Sequence, residues 1–169
     1  MLAPPVADEE LLDTLFQKAV SAVDAGDVAL LEALLAQHPR LVRERLTSPG
    51  AWLRDQIGEA LEGFYKHPYL LWFTTEDAVR TGRLSTNVAA ITNAIIQAAQ
   101  REGVPDLQQQ LDSTLPFAVC SPIGREDRRQ LELIDALVDS GASMDGAPVQ
   151  ALICYNAAAA EHLLRRGRS

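Results

Sequence analysis

The chain has 169 residues, enough for one domain with its own core, and its apolar share of 47% is ordinary for a globular protein. Aromatic residues make up only 5%, so the core must be built from Leu, Ile, Val and Ala, a composition that suits packed helices better than sheets. A net charge of −8 repels phosphate backbones and argues against general nucleic-acid binding.

Residues 1–7 read as a flexible arm. Asp8-Glu9-Glu10 then opens a helix, because acidic groups favour its positive end. Leu12, Leu15, Phe16, Ala19, Val20 and Val23 keep helical spacing up to Gly26. Asp27 is an N-cap for a second helix bearing Val28, Leu30, Leu31, Leu34 and Leu35, which His38-Pro39 ends. Two such helices joined by a short turn form an antiparallel pair. After the loop Thr47-Ser48-Pro49-Gly50, a helix turns Leu53, Ile57, Ala60, Leu61 and Phe64 inward. His67-Pro68 interrupts it, and a further helix carries Tyr69, Leu70, Trp72, Phe73 and Ala78 as far as Thr81-Gly82. Ser85, Thr86 or Asn87 caps a longer helix with Val88, Ile91, Ile95 and Ala98 aligned. In the second half, Ser113 or Thr114 precedes a helix opening at Leu115-Pro116, and Asp127 begins one with Leu131, Ile134, Leu137 and Val138 on its stripe. Gly141 ends that helix where a left-handed residue is wanted. A short helix around Ala151 to Cys154 leads to Asn156, the cap of a last helix with Ala160, Leu163 and Leu164.

One helix-ending pattern recurs: Leu31-Glu-Ala-Leu34-Leu35, Ile134-Asp-Ala-Leu137-Val138 and Ala160-Glu-His-Leu163-Leu164, with a fainter copy at Ile91-Thr-Asn-Ala94-Ile95. The preceding segments also correspond, since Leu115-Pro-Phe-Ala118-Val119-Cys120 matches Val149-Gln-Ala-Leu152-Ile153-Cys154 at an offset of 34 residues. On these residues, together with Ala22-Val23-Asp24-Ala25-Gly26-Asp27 and Gly141-Ala142-Ser143-Met144-Asp145, the chain resembles the ankyrin-repeat family. The family's Thr-Pro-Leu-His start is missing, with Leu115-Pro116 its nearest echo, and the hairpin fingers are short or missing. The resemblance implies an all-α solenoid of about four stacked helix pairs. Its pairs fall at residues 8–38, 51–102 with an inserted helix near 51–65, 113–141 and 147–167, within a single domain spanning 8–169. It also implies a protein-binding role without catalysis.

Motifs for chemistry are missing from the sequence. No Gly-x-Gly, Cys-x-x-Cys or His-x-x-x-His spacing occurs, and the three histidines lie on separate segments, so neither a cofactor, a metal nor a catalytic residue is expected. Cys120 and Cys154 are too few for a disulfide framework; as equivalent positions of adjacent pairs they are expected about one helix diameter apart, unbonded, as small buried residues. No apolar run reaches membrane-spanning length, and Met1-Leu2-Ala3-Pro4-Pro5 is not a secretory leader, so a reduced, cytoplasmic protein follows.

The aromatic cluster Tyr65, His67, Tyr69, Trp72 and Phe73 splits between core and contact roles. Tyr69, Trp72 and Glu76 share a helical face, and Arg80, Arg83 and Asn87 neighbour it; together they form the candidate surface for another protein, in the concave groove of the stack. The alternative is a small all-α enzyme or ligand-binding protein with its site between the inserted helix and the helix starting near Asn87, using a perturbed His67 or Glu76. The last helix exposes Leu163–Leu164 partly shielded by Arg165 and Arg166, which fits a monomer or weak dimer.

Overall fold

The computed structural model describes residues 5–125 and 127–167, and every regular element among them is helical. The α-helices are α1 (Pro5–Ala25), α2 (Val28–Gln37), α3 (Arg40–Arg43), α4 (Ala51–Leu61), α5 (Val88–Arg101), α6 (Leu107–Cys120), α7 (Arg128–Asp139), α8 (Ala147–Ile153) and α9 (Ala157–Gly167). A 3-10 turn at Leu70–Thr74 lies between α4 and α5.

Helix α1 starts at Pro5, so residues 5–7 of the expected arm are helical, and residues 1–4 lie outside the described part. Its stripe Leu12, Leu15, Phe16, Ala19, Val20 and Val23 is buried as its spacing requires. Gly26 turns the chain at φ +67°, and a Cβ there would stand 3.1 Å from Ser85 Oγ, so glycine is needed for both conformation and space. Asp27 caps α2, accepting from Leu30 N at 3.1 Å. His38 ends α2, and α3, a short turn the spacing did not announce, buries Leu41 and Val42.

The helices associate in couples: α1 with α2, the 3-10 turn with α5, α6 with α7, and α8 with α9. Neighbouring couples touch in chain order. Helix α2 meets α5, α5 meets α7 and α7 meets α9, while α1 meets the 3-10 turn, which meets α6, which meets α8. The buried apolar residues form one continuous core from Leu12 to Leu163. Side-chain amides join the couples. Asn87 Nδ2 donates to Gly26 O at 2.8 Å, and Asn156 Nδ2 donates to Val119 O at 2.9 Å while its Oδ1 caps α9 through Ala159 N at 3.1 Å. Each ties the start of a couple's second helix to the end of the first helix of the couple before it.

Three helices differ from their expected extents. The segment after Pro68 is one 3-10 turn and not a helix to Ala78: Thr74 and Thr75 hydroxyls bond back to Leu71 O and Trp72 O, both at 2.8 Å, and Glu76 takes φ +55°. Side chains that satisfy the backbone locally compete with helix propagation. Helix α6 begins eight residues before Leu115, at Leu107, and runs through Pro116, whose ring lies on the exposed side. Helix α8 begins at Ala147 with Pro148 in its first turn. In α4, Leu53, Ile57 and Leu61 are buried as expected and Ala60 is half-buried, but the helix ends at Leu61, and Phe64 beyond it is 59% exposed.

The cysteines depart most from expectation. Cys120 closes α6, Cys154 caps α8, and the two form a disulfide with Cα atoms 5.2 Å apart. The expectation used the separation of helix axes, roughly 8–10 Å. Each Cα sits about 2.3 Å off its axis, so facing positions on packed helices come within bonding range. Matching positions in neighbouring couples therefore favour the bond. Closing a loop with a sequence separation of 34 stabilises the fold by about 3–4 kcal/mol in the chain-entropy account. Reduction, or the double change Cys120→Ser and Cys154→Ser, will lower urea-unfolding stability by that order, and an unchanged midpoint would contradict the assignment.

Candidate interaction surface

The six residues assigned to a contact surface divide into four that are interior and two that are not. Tyr69, Trp72 and Glu76 are 3%, 6% and 4% exposed, and the Arg80 side chain is 2% exposed. Arg83 and Asn87 lie at the surface, Asn87 with its amide bound to Gly26. The aromatic residues are core. Tyr65, fully buried, packs against Trp72, Phe73 and Phe117 with ring centroids 5.4, 5.5 and 5.8 Å away. Burial pushes its phenol pKa up. The polar tips find partners: Tyr69 Oη donates to Asp106 at 2.9 Å and Trp72 Nε1 donates to Ser113 Oγ at 3.0 Å. Burial, then the bond to Asp106, raises the Tyr69 pKa. Arg45 lies over Tyr69 and Trp72, 4.5 and 5.5 Å from the two ring centroids, and Arg45 Nε donates to His67 O at 2.6 Å.

The chain's own insert brings about this burial. The segment that follows α4 delivers Tyr65 onto the 3-10 turn and α6, while Asp13 of α1 accepts from Gly50 N at 2.9 Å and Trp52 Nε1 at 2.7 Å. The face assigned to a partner is thus covered from within.

Arg80 organises the irregular segment. It donates two bonds to Asp24 at 2.9 and 2.8 Å, stacks 5.1 Å from the Phe73 ring centroid and donates to Phe73 O at 3.3 Å. Glu76 Oε2 accepts from the backbone N–H groups of Arg80 and Thr81, each at 3.0 Å, and of Gly82 at 3.3 Å. Its Oε1 stands 3.2 Å from Arg80 Nη2 as an ion pair without hydrogen-bond geometry. Burial opposes the Arg80 charge, but the bonds to Asp24 outweigh it and hold the guanidinium above its usual pKa. Apart from Glu76 Oε1, the cluster's carboxylate and guanidinium groups are tied to one another and to neighbouring backbone. Its neighbour Asp77, half-buried, is pushed up to about 6 by burial.

The alternative site, between α4 and the helix near Asn87, is a shallow groove bordered by Ile57, Gly58, Phe64, Ala78 and Val79, with polar side chains from Gln56 and Glu59. Asn87 does not line it. Among the described residues no cluster of His, Cys, Asp and Glu is arranged to hold a metal.

Open apolar surface lies elsewhere, on α8. Its alanines, Ala147 and Ala151, point inward, and its large residues point out: Val149 is 61% exposed and Ile153 65%. Asp112 and Pro116 of α6, Ser143 and Asp145 of the preceding loop, and Gln150 border a depression of about 410 Å³ between α6 and the start of α8. The sequence carries the signal, because alanines four apart with large residues between them mark a helix that buries its small side. No protein-family model, curated protein or solved structure matches the chain.

Two outcomes follow. Arg80→Met strands the Asp24 and Glu76 carboxylates and will cost about 3–5 kcal/mol in denaturant unfolding. A loss under 1 kcal/mol, on the order of an exposed pair, would show that the cluster is not buried. Asp77 has a raised folded pKa, so its carboxyl favours the fold below the unfolded value of about 3.9 and opposes it as pH rises through about 6. Asp77→Asn will therefore stabilise the protein by about 1–2 kcal/mol at pH 8, discounted for partial exposure, and by nothing at pH 3. An equal gain at both pH values would contradict this.

Proposed function

We propose that the chain is a non-catalytic protein-interaction module, an ankyrin-like stack of helix couples that binds another protein through the α6–α8 side. The observation that carries this reading is the outward set of Val149 and Ile153 on a helix whose inner face is alanine. Contact of the couples in chain order supports the stacked reading, as do left-handed glycines at the ends of α1, α5 and α7. The family's pattern is broken in the second couple, where a 3-10 turn replaces a first helix, and among the described residues no finger forms a strand.

Asp112 and Asp145 border the depression at the start of α8, the helix that carries the apolar pair, so the partner segment of this reading has an apolar anchor flanked by Lys or Arg. The Cys120–Cys154 bond holds α8 against α6 and so keeps this face in register; it also favours an oxidising environment over the reduced cytoplasm expected from two free thiols. No helix among the described residues is long and apolar enough to cross a membrane.

Selection of displayed peptides against the oxidised protein tests the reading. Binders enriched in an apolar residue next to basic ones are expected, and Ile153→Asp should weaken them at least about tenfold with an unchanged melting curve, in line with loss of a central anchor. A selection without enrichment, or binders indifferent to Ile153→Asp, would overturn it.

A further inference from the structure

The disulfide that joins α6 to α8 has two unlike ends. Cys120 packs against the apolar core and lies between Val119 and Ser121, both fully buried. Cys154 lies between Ile153, which is 65% exposed, and Tyr155, which is 85% exposed. The side-chain amide of Gln150, one turn before Cys154, spans the joint. Its Nε2 donates to Cys120 Sγ at 3.3 Å and stands farther, 3.7 Å, from Cys154 Sγ. Both cysteines stand at helix C-termini, so the helix dipole does not choose between them. Access and the amide do choose, and they favour the same direction.

We propose that this bond is a reversible modification site, which exchanges with low-molecular-weight thiols in the folded protein and is entered at Cys154. A thiolate attacks Cys154 Sγ and forms a new S–S bond to it as the Cys120–Cys154 bond breaks. The bonding electron pair leaves on Cys120 Sγ, where the Gln150 N–H meets the developing thiolate before water protonates it. The rate of such exchange depends on which sulfur is reached and on how well the other leaves as an anion. A hydrogen bond donated to the charged form favours that form, so Gln150 is a positioning residue for the leaving sulfur. Attack of a second thiol on the mixed disulfide then releases Cys154 as a thiolate. Two thiols have by then been oxidised to one disulfide, and the protein's bond has been reduced to two thiols. Helix α8 buries only Ala147 and Ala151, so exchange removes the covalent tie from a thinly packed joint. None of this rests on what the α6–α8 side binds, because neither the attack nor the departure uses Val149 or Ile153.

Brief exposure of the oxidised, folded protein to glutathione, quenched with N-ethylmaleimide and followed by peptide mapping, reads the direction. Glutathione on Cys154 with maleimide on Cys120 should exceed the reverse at least about tenfold, at a rate proportional to glutathione concentration. Gln150→Met keeps the length of the side chain without the N–H. It should slow the exchange at least about threefold and narrow the preference, with circular dichroism showing intact helices. Should that variant not fold, the mapping of the wild type decides alone. The proposal is overturned by glutathione mainly on Cys120 or shared equally, or by two free thiols in the air-oxidised protein. It is also overturned by a rate indifferent to glutathione concentration, which marks reaction through the unfolded chain, or by Gln150→Met reacting as fast and as selectively as wild type. The readout involves no peptide, so failure here and failure of the peptide-binding reading are separable.

Discussion

The pairing of Arg80 with Asp24 and Glu76 is the contact on which the first half of the molecule rests. Between Thr75 and Asn87 the backbone has no regular hydrogen bonding of its own, yet it must pass from the 3-10 turn to α5 inside a couple. Glu76 supplies acceptors to three successive amides, and Arg80 anchors the bend to the end of α1. Buried charges are costly unless paired and hydrogen-bonded. Here each is answered by a partner fixed by the fold, so an irregular segment is held between the 3-10 turn and α5.

That irregularity explains the aromatic residues. A 3-10 turn covers less surface than a helix, and Tyr65, Trp72 and Phe117 fill the difference, with Arg45 laid over the outer edge. The insert around α4 serves the same end by carrying Tyr65 into the gap. The part of the chain richest in groups for recognition is therefore occupied with its own packing. The proposed contact surface moves to the other half, where couples are regular and α8 has only alanines to bury.

Helix content, most buried stripes, the capping roles of Asp27 and Asn156, the helix start at Asp127 and the left-handed Gly141 were legible in the sequence, because each depends on neighbours within a few residues. What was not legible depends on pairs distant in the chain. Glu76 read as part of a contact face with Tyr69 and Trp72, and Arg80 as its neighbour, because Asp24, 56 residues before Arg80, cannot be paired with it by spacing. The doublet Thr74-Thr75 ahead of Glu76 was the local sign that the helix would fail. The disulfide was misjudged for a metric reason, the axis separation having been taken for the separation of facing Cα atoms. The candidate site was legible only in its residue types; burial, which decides between core and contact, required the insert to be placed.

Native-state hydrogen exchange at single-residue resolution tests the central claim most directly. If the Glu76 carboxylate and Arg80 hold the irregular segment, the amides of Arg80, Thr81 and Gly82 exchange at least about a hundredfold slower than unprotected amides, and slow or quicken together as one unit. Free exchange at those three amides, beside a fully protected α5, would show the segment to be an ordinary loop and remove the contact on which the account is built.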